Sequence, residues 1–163
     1  MNQIKKIMAA IGMSEHAPGI IDYAAGLARA VGAELLIAHI INIRDVEALN
    51  TIADMGYDIK PENYIKEIKA DRRAQIDQLL AATQFPTDHF KVILKVGHPV
   101  DALLKIILAE KVDTVVMGVK GRTNLENILV GSVAEKIFRR SPATIVSYRD
   151  PDHAAELKKH IHA

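Results

Sequence analysis

Glycines at Gly118, Gly121 and Gly131, the last followed by Ser132, are spaced so that backbone could wrap an anion. An apolar run, Val115-Val116-Met117, stops at Gly118. A polar segment carrying Lys120 and Arg122 follows, and an amphipathic helical pattern begins at Ser132. This reads as strand, loop and helix N-terminus. The first turn of a helix has N–H groups without intrahelical partners and a partial positive charge, so it favours an anion. A hydroxyl at the helix start suits phosphate, and Lys120 or Arg122 could neutralise a polyphosphate. The spacing is neither a Walker A loop nor GxGxxG, because Lys120 lies between glycines and does not precede a helical Ser or Thr.

Other residue types carry less. The chain has 7 histidines and no cysteine, which excludes disulfides, thiolate metal sites and a cysteine nucleophile together. His39 falls in an apolar run and reads as a core or pocket-edge imidazole. His153, His160 and His162 cluster near the end of the sequence and read as a solvated segment. His98 precedes Pro99 and belongs to a turn. Asp22, Asp101 and Asp113 read as ordinary surface carboxylates, and the charges of Glu62–Thr83 as a solvated face. No Ser-His-Asp spacing stands out, and no base is evident near Ser132, so no catalytic residue is assigned.

The elements that must position the glycine loop follow from periodicity. Ile4–Ile11, Glu34–Ile41, Phe90–Val96, Asp113–Gly118 and Ala143–Tyr148 are short apolar runs that fit buried strands. Between them, helical spacing appears in Ile20, Ile21, Ala24, Leu27, Ala28 and Val31, closed by Gly32. It recurs in Glu62–Thr83, in Val100–Leu108 and in Ser132–Arg139. Asn42–Pro61 reads as a long connection holding a short helical piece at Val46–Met55. Asp150–Ala163 reads as a polar tail, a short helix or frayed end. The alternation is that of an open α/β sheet with right-handed crossovers.

A length of 163 residues suits one domain with a core. The net charge of +1, from 21 basic and 20 acidic residues, argues against electrostatic attraction to nucleic acid or an anionic membrane. With aromatics at 4%, a base-stacking surface is not expected either. No apolar run approaches the ~20 residues of a membrane span. The apolar stretch near Met1 lacks a cleavage pattern, so a cytoplasmic location is expected.

The pattern G-x2-G-x9-G-[ST] at Gly118, Gly121 and Gly131-Ser132 resembles the ATP-binding signature of the universal stress protein family. The resemblance runs through GHPVDALLKIILAEKVDTVVMGVKGRTNLENILVGSVAEKIFRRSPATIVSYR and includes IKKIMAAIGMSEHA and GAELLIAHII, covering Ile4 to Arg149. It implies a domain over residues 1–149 followed by the tail at 150–163. It also implies a doubly wound, five-stranded parallel sheet of order 3-2-1-4-5 with helices on both faces, of the adenine nucleotide α-hydrolase-like kind. By position, Ala10, Ile11, Ile40 and Met117 would wall an adenine, and Gly118 and Gly121 would approach ribose and first phosphate. Gly131, Ser132 and Val133 would cap the outer phosphates, with Arg122 nearby. Any Mg²⁺ would be held by phosphate oxygens.

One position departs from the family. Its usual Asp after the first strand is replaced by Gly12, in Gly12-Met13-Ser14. A charged hydrogen bond is worth roughly 1.5–3 kcal/mol, or roughly ten- to a hundredfold in affinity. Two leading functions of different class follow. One is an ATP-binding regulatory protein of the stress response with slow or no hydrolysis. The other is a dimeric adaptor with weakened or altered nucleotide binding, to AMP or a cyclic nucleotide. A nucleotide-handling enzyme has nothing beyond the loop in its favour. The edge strand Ala143–Tyr148 is apolar and free of proline, so a homodimer through it is expected, alongside a regulatory protein partner the sequence does not identify.

Overall fold

A computed structural model of the chain describes residues 3–58, 60–119 and 131–161. The strands β1 (Lys6–Ile11), β2 (Glu34–Asn42), β3 (Phe90–Gly97), β4 (Thr114–Gly118) and β5 (Thr144–Tyr148) form one sheet in the order β3-β2-β1-β4-β5. Every neighbouring pair is parallel. Seven consecutive residues of β2, Leu35–Ile41, are buried, as expected of a strand covered on both faces.

Helices α1 (Ala17–Val31) and α3 (Pro61–Thr83) cover one face, packing on Ile7, Ala9, Ile11, Leu35, Ile37 and Val116. Helices α4 (Pro99–Glu110) and α5 (Ser132–Arg140) cover the other, on Met8, Ala10, Leu36, Ala38, Val115 and Met117. The split follows the period-2 alternation of side chains along each strand. Helix α2 (Ile43–Asp54) packs on α3, and α6 (Pro151–Lys159) follows β5.

Local chemistry fixes the ends. Gly32 closes α1 at φ 68°, the left-handed cap that glycine adopts without penalty. Helix α2 begins earlier than the sequence pattern implied, because the Asn42 side chain accepts a hydrogen bond from the Arg44 N–H at 3.2 Å. The tail is a helix for the same reason: the Asp150 carboxylate accepts from the His153 N–H at 2.9 Å, with Pro151 in the first turn. Asp113 is not an ordinary surface acid. Its Oδ2 accepts from the Lys5 and Lys6 N–H groups at 2.8 and 2.9 Å, and its carbonyl accepts from Thr144 N–H at 3.0 Å. One residue thus ties β1, β4 and β5 at the N-terminal edge of the sheet.

Candidate functional site

The crevice lies at the opposite, C-terminal edge. After β1 the chain turns to α1 on one face, and after β4 it leads to α5 on the other. Diverging connections from adjacent strands open a gap at this switch point, where doubly wound sheets take ligands. The register pairs Ala10 with Met117 across the β1–β4 seam, so Gly12 and Gly118 flank that gap.

Val119 and Gly131, the described residues on either side of positions 120–130, meet directly. The Gly131 N–H donates to the Val119 carbonyl at 2.7 Å, which holds the start of α5 beside the end of β4. Intrahelical bonding in α5 begins with the Glu135 N–H donating to the Gly131 carbonyl at 3.0 Å. The Gly131 N–H is therefore committed to closing the loop. The following residues, Ser132 and Val133, have N–H groups without a partner within the helix, the arrangement that suits an anion. Gly131 has φ −65° and ψ 148°, a conformation open to any residue.

The expected adenine wall divides between faces. Ala10, Ile40 and Met117 share the face packed against α4 and α5. Ile11 belongs to the cluster on the α1–α3 face, so its side chain does not join theirs. The backbone of Ile11 stays relevant: its carbonyl accepts from His39 Nδ1–H at 3.0 Å, fixing the last residue of β1 before Gly12. His39 is buried at 1% exposure and acts as a brace for this edge, as its place in an apolar run suggests. Gly12 itself is exposed, its backbone is not left-handed, and a Cβ built there would meet nothing within 4 Å. Gly121 and Arg122, with Lys120, lie outside the described residues.

His16 Nδ1 lies 3.2 Å from Asp150 Oδ2. The Asp150 carboxyl is held below its ordinary range chiefly by the His153 N–H and also by the His16 charge, against the opposing effect of burial. His160 ends α6, and His162 lies outside the described residues. Among the described residues, no group of three or more His, Asp or Glu side chains is placed to hold a metal ion.

The charged helix α3 departs from the sequence reading. Its inward stripe runs Ile65, Ile68, Arg72, Ile76, Leu79 and Leu80, so Arg72 is half-buried and not part of a solvated face. The signal was present in the spacing, since Arg72 falls four residues after Ile68 and four before Ile76.

Strand order and helix placement together define a doubly wound α/β domain with its switch point between β1 and β4. The model of the universal stress protein family matches residues 3–149, and the chain belongs to that family. Universal stress protein MJ0577 of Methanocaldococcus jannaschii is 25% identical over 156 residues, which are 90% of this chain and 96% of that protein. A solved structure of MJ0577, at 26% identity, matches with a TM-score of 0.73 over 92% of this chain and 99% of that one. A universal stress protein of Thermus aquaticus is 26% identical over 146 residues, 89% of this chain and 98% of that protein. A universal stress protein crystallised in complex with cAMP shares the fold, with a TM-score of 0.60 at 22% identity, covering 91% of this chain and 98% of that one.

Proposed function

We propose that the chain binds an adenine nucleotide, ATP foremost, in the crevice between Gly12 and the start of α5, and that its output is a change of shape or partner in a cytoplasmic stress response. The observation that carries this reading is the 2.7 Å hydrogen bond from Gly131 N–H to the Val119 carbonyl. It brings a helix N-terminus with a serine hydroxyl to the end of β4, beside an apolar surface made by Ala10, Ile40 and Met117. An anion at the helix start and a flat apolar base on that surface match a nucleotide in chemistry. The same class of ligand is named in the complex of the related protein with cAMP.

Within this reading Gly118 and Gly121 lie along the ribose and first phosphate, Ser132 and Val133 hold the outer phosphates, and Arg122 adds charge. Mg²⁺, when present, is held by phosphate oxygens. No side chain in a catalytic role is assigned, so hydrolysis is slow or absent. Among the described residues, the outer edge of β5 has no strand neighbour, and antiparallel pairing of two copies there supplies one. Nucleotide released from the purified protein, identified by chromatography, together with calorimetric titration by ATP, AMP and cAMP, tests the reading. Saturable binding of ATP supports it, and silence toward all three at millimolar concentration overturns it.

A second reading rests on Gly12. With no carboxylate at the position where the family usually has Asp, the protein is an adaptor whose dimer matters more than its nucleotide. Dimerisation with no nucleotide response would favour it.

A further inference from the structure

A second cleft lies on the α1–α3 face, away from the surface formed by Ala10, Ile40 and Met117. It measures about 270 Å³ and is lined by Met13 and Ser14, directly after Gly12, and by Arg72, Gln75, Gln78 and Leu79 of α3. Its polar groups are arranged as donors. Arg72 Nη1 donates to Gln75 Oε1 at 3.3 Å, which occupies the Gln75 carbonyl and leaves its NH₂ hydrogens for another acceptor. Ser14 Oγ accepts from the His16 N–H at 3.3 Å, so its hydroxyl hydrogen remains to donate.

Among the described residues, Arg72 has no counter-charge. Its Nε–H is shut off from solvent and meets no acceptor, and no carboxylate pairs with it among the described residues. Asp77, one turn further along α3, is committed to Arg73 at 2.9 Å. A half-buried guanidinium whose Nε–H meets no acceptor is costly, and such a group usually marks a missing partner. The fork of an arginine fits an oxyanion through two parallel hydrogen bonds.

We infer that this cleft is an oxyanion site, taking a phosphate-type group between Arg72, Gln75, Gln78 and Ser14. It stands apart from the nucleotide reading, because it uses neither the glycine loop nor α5. The oxyanion comes either as free phosphate or as the phosphate of a larger ligand.

The test uses the full chain labelled with ¹⁵N, following the arginine Nε–Hε resonances during titration at constant ionic strength with inorganic phosphate and, separately, with ATP. The Arg72 resonance is assigned by its loss in Arg72→Met, and Arg73 is the internal control. A saturable shift of Arg72 with phosphate, and none of Arg73, supports a free-anion site. A shift with ATP alone also supports the site and assigns the oxyanion to the nucleotide. In Arg72→Met, loss of the charged hydrogen bonds should weaken phosphate binding roughly ten- to a hundredfold, and the rise in melting temperature that phosphate gives the unsubstituted chain should vanish. Should Arg72→Met not fold, Arg72→Lys keeps the charge without the fork and should show an intermediate loss. Arg72 and Arg73 moving together without saturation would mean an adventitious ion only, and an Arg72 resonance unmoved by either titrant would equally overturn the proposal.

Discussion

Gly12 directly follows the first strand, at a position where a side chain would meet open space. The replacement Gly12→Asp therefore costs nothing in strain and offers one carboxylate to the crevice. A charged hydrogen bond contributes about 1.5–3 kcal/mol, so Gly12→Asp should tighten ATP by roughly ten- to a hundredfold, measured by calorimetry. Unchanged affinity would mean that the crevice does not hold the nucleotide against this residue. At this scale the strand end at Gly118, the helix start at Ser132 and the buried character of His39 were legible, because all three depend on neighbours in sequence. The contacts of Asp113 and Arg72 were not. Asp113 meets backbone N–H groups of Lys5 and Lys6, and Arg72 lines one cleft with Ser14; in both cases the fold brings together residues distant in sequence.

Among the elements, α1 carries a paired test of close packing. Gly19 lies under the Tyr148 ring, and a Cβ there would run into it. Gly26, in the same helix, has nothing within 4 Å of an added Cβ. Replacing glycine by alanine inside a helix gains about 1 kcal/mol, whereas overpacking costs about 1–3 kcal/mol. Gly26→Ala should thus raise the urea midpoint and Gly19→Ala should lower it. Equal effects would remove Tyr148 as the reason for Gly19. Strands β1 and β2 could be read from the sequence because long buried runs leave little alternative. Helix α2 was read only in part, as Val46–Met55, because Asn42 serves two elements at once: it ends β2 and caps α2. The place of α6 was illegible for a different reason, since its Asp150 cap also meets His16 at the far end of the chain.

Across the whole molecule, Glu110 at the end of α4 joins two strands. Its carboxylate lies 2.6 Å from Lys91 Nζ on β3 and 3.6 Å from Lys6 Nζ on β1. The Lys91 hydrogen bond, reinforced by the charges of Lys91 and Lys6, holds the Glu110 carboxyl below its ordinary value of 4.5, against the opposing effect of burial. A carboxyl whose folded pKa is depressed contributes stability above its unfolded pKa and loses it as pH falls through the folded pKa. The acid limb of urea stability, followed downward from about pH 5, should therefore be shallower in Glu110→Gln than in the unsubstituted chain. Identical limbs would show that Lys91, which is largely exposed, contributes nothing through this pair. At the same scale, sedimentation should find a dimer at micromolar concentration, and a monomer at high micromolar would remove β5 as an interface. The central claim concerns the crevice and is tested most directly by titrating the unsubstituted protein with ATP in a calorimeter. The account predicts one saturable binding event per chain; no heat up to millimolar ATP would contradict it.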